Sequence, residues 1–352
     1  GKIMQYKFDL CYTADPQPFS RKSGKEMLQY AVGGLLYMPA SNTKIAEKII
    51  SGEYYYVKSM VLDLEDALGD DLVQYGIKTI AQTIQTLAKA VESGKLSDDD
   101  IPLIFIRIRS AGQMTSVAKV LGSTVRYITG FNIPKFDCLN CDRYVEEFIK
   151  LPQHLYVMPI IENKQALYQQ LRMPNLLAVY DCLNELSGQV LNIRVGGADF
   201  CSVLGVRRGI SDTIYDIGAV RSALEDIINV FGRSYVVSGP VWEYFRDKNS
   251  PDDVAWQIGL QTELKKDKLN GFIGKTCIHP SQLPIVQQSL IVNHSDYREA
   301  ISILGMNENT VGVAKSVSGN RMNEVKTHTN WARKIVGLAS VYGTVADEHR
   351  SV

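Results

Sequence analysis

Lys58–Asp70 reads KSMVLDLEDALGD, an apolar run that delivers Asp63, Glu65 and Asp66 within four residues. Side chains alternate along a strand, so Asp63 and Glu65 share a face and Asp66 begins the turn. No cation stands between them in the sequence. They either form a solvated acidic turn or draw a positive partner, a basic side chain from elsewhere or a metal ion. Other apolar runs end on charges too: Arg107 and Arg109, Lys135, Glu162, Asp199, and finally His279. Unselected strand-to-helix junctions would be rich in Gly, Asn and Ser, so this concentration of opposite charges marks a candidate site. Glu162 closes the run VMPIIE, and Asp199 follows the pair Gly196-Gly197, where backbone or ligand can approach closely. Two such carboxylates with no neighbouring His or Cys make a hard, oxygen-only donor set suited to Mg²⁺ or Mn²⁺ and ill suited to Zn²⁺. The competing reading pairs each acid with a nearby Arg or Lys. Arg107 offers a planar fork for a carboxylate or an enolate oxygen, or for the acids at 63–66.

These ends need a scaffold, and the chain supplies a periodic one. Apolar runs at 33–40, 58–66, 102–110, 126–136, 155–163, 191–200, 234–242 and 271–282 are separated mostly by helical patterns. The clearest helix spans 72–94, with Val73, Ile77, Ile80, Ile84, Leu87 and Val91 on one face and Gly94 as its stop. Asp212 is expected to cap a helix, and 253–268 to form another. Eight buried runs alternating with helices are the pattern of an α/β (β/α)₈ TIM barrel. Its strands read as near-continuously apolar because both faces are covered. The chemistry of such a barrel sits at the C-terminal strand ends, where the charges fall. The expected layout is an N-terminal arm (1–30), a catalytic barrel (31–283) and a C-terminal helical extension (284–352) without strand signal.

Composition narrows the function. Lys plus Arg and Asp plus Glu are both 38 of 352 residues, which gives no global field to attract nucleic acid or an anionic membrane. Six scattered cysteines read as reduced thiols of a cytoplasmic protein. No apolar stretch approaches a membrane span, no signal-peptide core is present, and Gly1 reads as a cloning remnant. Cys138-Leu-Asn-Cys141 has knuckle spacing without a second pair, so neither zinc nor redox chemistry is expected there. His279 beside Pro280 reads as structural. Nucleotide-phosphate loops and esterase elbows are absent.

Seven segments stand in one order: LYMPASNTKIAEKI, MVLDLEDAL, IFIRIRS, GFNIPKF, MPIIE, GGADFCSVLG and GFIGKTCIHPSQ. Together they resemble the citrate lyase β-subunit-like, HpcH/HpaI aldolase-like lyases of the pyruvate/phosphoenolpyruvate barrel superfamily. The likeness runs from about residue 33 to 345, including a tail, SGNRMNEVKTHTNWARKI, similar to that family's. The arm and the motif wording look most like its C–C-bond-lyase branch associated with tellurium-resistance clusters.

The resemblance implies Mg²⁺ (or Mn²⁺) held by Glu162 and Asp199, with Arg107 on the substrate carboxylate or carbonyl. It places Glu65 and Asp66 beside the metal, holding its waters; the general base is left open, with a metal-bound water positioned by Glu65 or Asp66 as the preferred reading. The backbone at Gly197 and Ala198 would line the oxo-acid pocket; from their own strand-end positions, Arg109 and Lys135 are read as further substrate contacts. The implied reaction is cleavage or condensation of a carbon–carbon bond in a 2-oxo acid or a hydroxyacyl thioester such as citryl- or malyl-CoA. A homo-oligomer is implied as well. Departures include Arg107-Ile108-Arg109 where the family has Arg-Val-Asn, and MPAS followed by Lys44 where it has VPGS. These leave a coenzyme A thioester substrate open. The alternatives are phosphoenolpyruvate-type phosphoryl chemistry on the same barrel, or a non-catalytic binding or assembly module of a stress response.

Overall fold

Strands this apolar have one stable arrangement, a sheet covered on both faces, and the chain closes that sheet on itself. The computed structural model describes residues 4–65, 69–306, 313–315 and 322–347. Its barrel strands are β1 (Gly34–Pro39), β2 (Ser59–Asp63), β3 (Leu103–Arg107), β4 (Gly130–Ile133), β5 (Tyr156–Ile161), β6 (Ile193–Val195), β7 (Val237–Ser238) and β8 (Lys275–Cys277). All pair in parallel and in chain order, and β8 returns to β1 through Gly34↔Lys275. A parallel bridge, Gly239↔Lys275, joins β7 to β8. The fold is the expected TIM barrel.

The observed strands are shorter than the apolar runs because only the barrel wall is hydrogen-bonded sheet. The run expected at 191–200 is strand only to Val195, and Ala198–Leu204 is already helix. Val73–Glu92 is helical, burying Ile77, Ile80, Ile84 and Leu87, and Gly94 (φ +79°) takes the left-handed turn beyond it. Asp212 does not cap a helix. It accepts the Gly209 N–H, and Thr213 with Asp216 forms the capping box instead.

The end pieces differ most from expectation. The arm contains a strand, Tyr12–Ala14, and a helix, Lys25–Ala31. That strand pairs with Thr344–Val345, which pairs in turn with Val292–Asn293. Strand structure therefore continues beyond residue 283, where only helix was expected. Met4, Tyr6, Phe19 and Leu28 of the arm pack with Ile335, Leu338 and Tyr342 of the terminal helix Val325–Tyr342. The same cluster contains Leu35, Val61, Phe105, Met158 and Val236 from the barrel floor. Both termini thus close the barrel's N-terminal mouth and leave the other mouth for chemistry. Residues 316–320, with the SGNR of the tail motif, lie outside the described residues.

Candidate active site

The acids of the 63–66 stretch do find cations. Asp63 ends β2 directly opposite Arg107, the end of β3. Arg107 donates Nε and Nη2 to the two Asp63 oxygens at 2.8 and 2.7 Å, a buried fork. The Glu65 N–H donates to Asp63 Oδ1 at 2.9 Å, which turns the chain after the strand. Glu65 Oε2 stands 3.4 Å from Arg107 Nη1, and Glu65 Oε1 accepts the Lys135 ammonium at 2.5 Å. Burial opposes charge on Arg107, but the Asp63 bonds outweigh it and hold the guanidinium more firmly protonated. Its plane stands 5.0 Å over the Tyr37 ring. Asp66 lies outside the described residues.

Lys135 is where β4 hands over to its loop. Among the described residues it is the one non-glycine with positive φ, +50°. That turn aims its backbone N–H at Glu162 Oε1, 2.9 Å away. Asn140 and Asn163 donate to its carbonyl at 2.9 and 3.3 Å and hold the turn.

Glu162 is buried just past β5. Burial first, and then the neighbouring carboxylate of Asp199, raise its pKa well above the usual range. Among the described residues neither acid makes an ion pair, so the basic side chains of the mouth are spent on Asp63 and Glu65. The glycine pair explains the approach. A Cβ on Gly196 would stand 2.7 Å from Glu162 Cβ, and one on Gly197 2.7 Å from Pro240 Cβ. Gly197 precedes the helix Ala198–Leu204, and Ala198 is exposed at the rim. Two carboxylates pressed together with no ion pair among the described residues, one of them buried and only partly relieved by the charge of Arg107, fit a hard divalent ion.

Other candidates sit elsewhere. Arg109 is beyond the strand, exposed, and paired with Asp70. His279 is structural, as expected: its Nδ1 accepts the Ser281 N–H at 3.1 Å and its ring stacks on Phe245. Cys141 meets Cys182 and Asp142 away from the barrel mouth, where burial pushes both thiols up and keeps them protonated. Sequence reasoning missed Asn140 and Asn163, which carry no periodic signal. It also missed Tyr37, Asn132 and Arg194, polar side chains in the barrel interior. Strand parity marks Arg194, since it lies two residues before Gly196 and so points inward with it.

A parallel eight-stranded barrel with its charges gathered at the C-terminal mouth defines a TIM-barrel enzyme scaffold. The chain belongs to the family described as C-C bond lyase of the TIM-barrel fold, which matches residues 26–344. It is therefore a member of a carbon–carbon lyase family. Among solved structures it is similar to CitE from Mycobacterium tuberculosis, in complex with magnesium, acetoacetate and coenzyme A. The identity there is 18%, covering 91% of this chain and 99% of that one, with a TM-score of 0.57. It is also similar to RipC from Yersinia pestis, at 14% identity, 74% and 95% coverage and a TM-score of 0.50. A search of curated protein sequences gives no match. Among the described residues no helix is long and apolar enough to cross a membrane.

Proposed function

We propose that this mouth is a magnesium-dependent lyase centre that cleaves, or in reverse forms, a carbon–carbon bond β to a carbonyl. The substrate class is a 2-oxo acid or a hydroxyacyl thioester. The observation that carries the reading is the Glu162–Asp199 pair, two carboxylates left without a basic partner among the described residues while Asp63 and Glu65 are paired. Glu162 and Asp199 would hold Mg²⁺, and Mn²⁺ would satisfy the same oxygen donors. When bound, the ion supplies Lewis-acid polarisation of the substrate carbonyl.

The remaining work falls to this chain's own side chains. Arg107, locked by Asp63, presents a fixed positive charge to a developing enolate. Because it is pre-oriented and buried, that charge is worth more than the same group in water. Glu65 holds the Lys135 ammonium at the mouth, where the half-exposed lysine can meet a substrate carboxylate. Asp66, the next residue in sequence after Glu65, is proposed to share its role. The backbone at Gly197 and Ala198 offers a surface with no side chain at Gly197 to obstruct an oxo acid. Arg109, exposed and paired with Asp70, is proposed as a further substrate contact, and CitE's capture with coenzyme A supports keeping a thioester among the substrates. The proposed setting is a cytoplasmic homo-oligomer acting on small molecules.

The test is calorimetric titration of Mg²⁺ and pyruvate. Wild type should bind pyruvate only when Mg²⁺ is present, and Glu162→Gln and Asp199→Asn should abolish that binding. Undiminished Mg²⁺-dependent binding in either variant would overturn the metal assignment.

A further inference from the structure

Below the mouth lies a polar layer that the reading above does not use. Tyr37 on β1 accepts a hydrogen bond from Asn132 Nδ2 on β4 at 2.7 Å, and Arg194 Nη2 on β6 donates to Thr276 Oγ1 on β8 at 3.0 Å. Neither pair of strands is adjacent, so these contacts run through the barrel interior. Arg194 is 1% exposed, yet its Nε and Nη1 have no hydrogen-bond partner among the described residues. No carboxylate there forms an ion pair with it. Asn132 Oδ1 is likewise without a partner.

A buried guanidinium stays charged, and leaving it without a counter-charge is expensive. Water can satisfy its N–H groups but not its charge. Tyr37, which accepts from Asn132, keeps its own O–H to give, and burial holds the phenol protonated. The donors left over therefore match one small anion with two oxygens. Arg194 precedes Gly196, which bonds to the β5 end beside Glu162, by two residues, about 6.6 Å along the strand. That is one layer beneath the proposed metal carboxylates.

We propose that Arg194, with Tyr37 and Thr276, forms a carboxylate subsite inside the barrel that reads a second carboxylate of the substrate. The subsite stands on its own orphaned donors; only its assignment to the substrate rests on the metal-centre reading. The enzyme then prefers a dicarboxylic oxo acid to a monocarboxylic one.

The first arm of the test uses no metal. In EDTA, sodium acetate should raise the wild-type melting midpoint beyond sodium chloride at equal ionic strength. Arg194→Met should lose that difference, and Met fills the arginine stem while removing the uncompensated charge. Arg194→Lys keeps a charge without the fork and should need several-fold more acetate. An equal response to acetate and chloride in wild type, or an undiminished acetate effect in Arg194→Met, overturns the subsite. The second arm compares oxaloacetate with pyruvate in Mg²⁺. Wild type should favour oxaloacetate by about tenfold or more, the scale of one charge-assisted hydrogen-bond pair. Arg194→Met should erase that preference by weakening oxaloacetate several-fold more than pyruvate. A preference retained in Arg194→Met overturns the substrate assignment, whereas a wild type that binds pyruvate without regard to Mg²⁺ sinks the metal reading and leaves the acetate result to decide the subsite.

Discussion

The backbone N–H of Lys135 donates to Glu162 Oε1 at 2.9 Å, across the gap between the ends of β4 and β5. That bond exists because Lys135 adopts φ +50°, a conformation that costs a side-chain-bearing residue about 1–2 kcal/mol. Lys135→Gly and Lys135→Ala both lose the ammonium on Glu65, so comparing them isolates the backbone. Glycine should give the more stable variant by about 0.5–1 kcal/mol in urea unfolding, after its greater unfolded-state entropy is counted. An alanine variant as stable as the glycine one would refute the strained turn.

Glu162 makes a pH signature. Its folded pKa is raised, by burial and then by Asp199, so the folded state holds a proton that the unfolded state has released. Its contribution to stability is therefore present below the usual carboxylate pKa and is lost as pH rises from there through the elevated folded value. In metal-free protein the melting midpoint should carry this downward trend with pH. Glu162→Gln should flatten it, and saturating Mg²⁺ should flatten it in wild type. A thermal scan from pH 5 to 8 with EDTA or Mg²⁺ checks both.

Asp63 and Arg107 form a buried pair whose partners cannot be removed singly without leaving a charge behind. Arg107→Met should destabilise by about 3–5 kcal/mol, more than an exposed salt bridge could account for. The double variant Asp63→Asn with Arg107→Met should lose less than the sum of the singles, with a coupling of about 1–3 kcal/mol in denaturant unfolding. Additive losses would show that the fork is incidental.

A second buried network lies behind β8. Lys275 Nζ reaches Asp267 at 2.6 Å and Glu263 at 2.8 Å, Tyr215 donates to Asp267, and Arg208 pairs with Glu263. Burial, opposed by Lys275, leaves Asp267 with a pKa of about 6. Lys275→Met should cost about 3–5 kcal/mol near pH 8, where the buried Asp267 loses the charge that balances it. Without the lysine the Asp267 pKa climbs further, so the loss should shrink as pH falls and the acid takes up a proton. Urea unfolding at pH 5.5 and 8 would measure the difference.

Much of this was legible in the chain because two periodicities carry it. The (β/α) alternation and the 3.6-residue spacing of Ile77, Ile80, Ile84 and Leu87 are local patterns, and the barrel follows from burying every strand on both faces. The charged strand ends were legible for the same reason, since parity and position identify them without knowledge of their neighbours. Arm and tail were not. Tyr12–Ala14 pairs with Thr344–Val345 across more than three hundred residues, and no local signal encodes such a partner. Lys135's left-handed turn was equally hidden, because Asn140 and Asn163 stabilise it from separate turns.

The sequence by itself determined the barrel, the mouth that carries chemistry and the set of charges gathered there. Only the tertiary structure decided which charges meet. The opening acids looked in need of a cation, and the fold supplies two, Arg107 to Asp63 and Lys135 to Glu65. That pairing leaves Glu162 and Asp199 without an ion pair among the described residues, and Arg194 as a cation inside the barrel without an acid among them. Charge placement along a strand is a property of sequence. Charge pairing depends on distances across the barrel, which exist only once it closes.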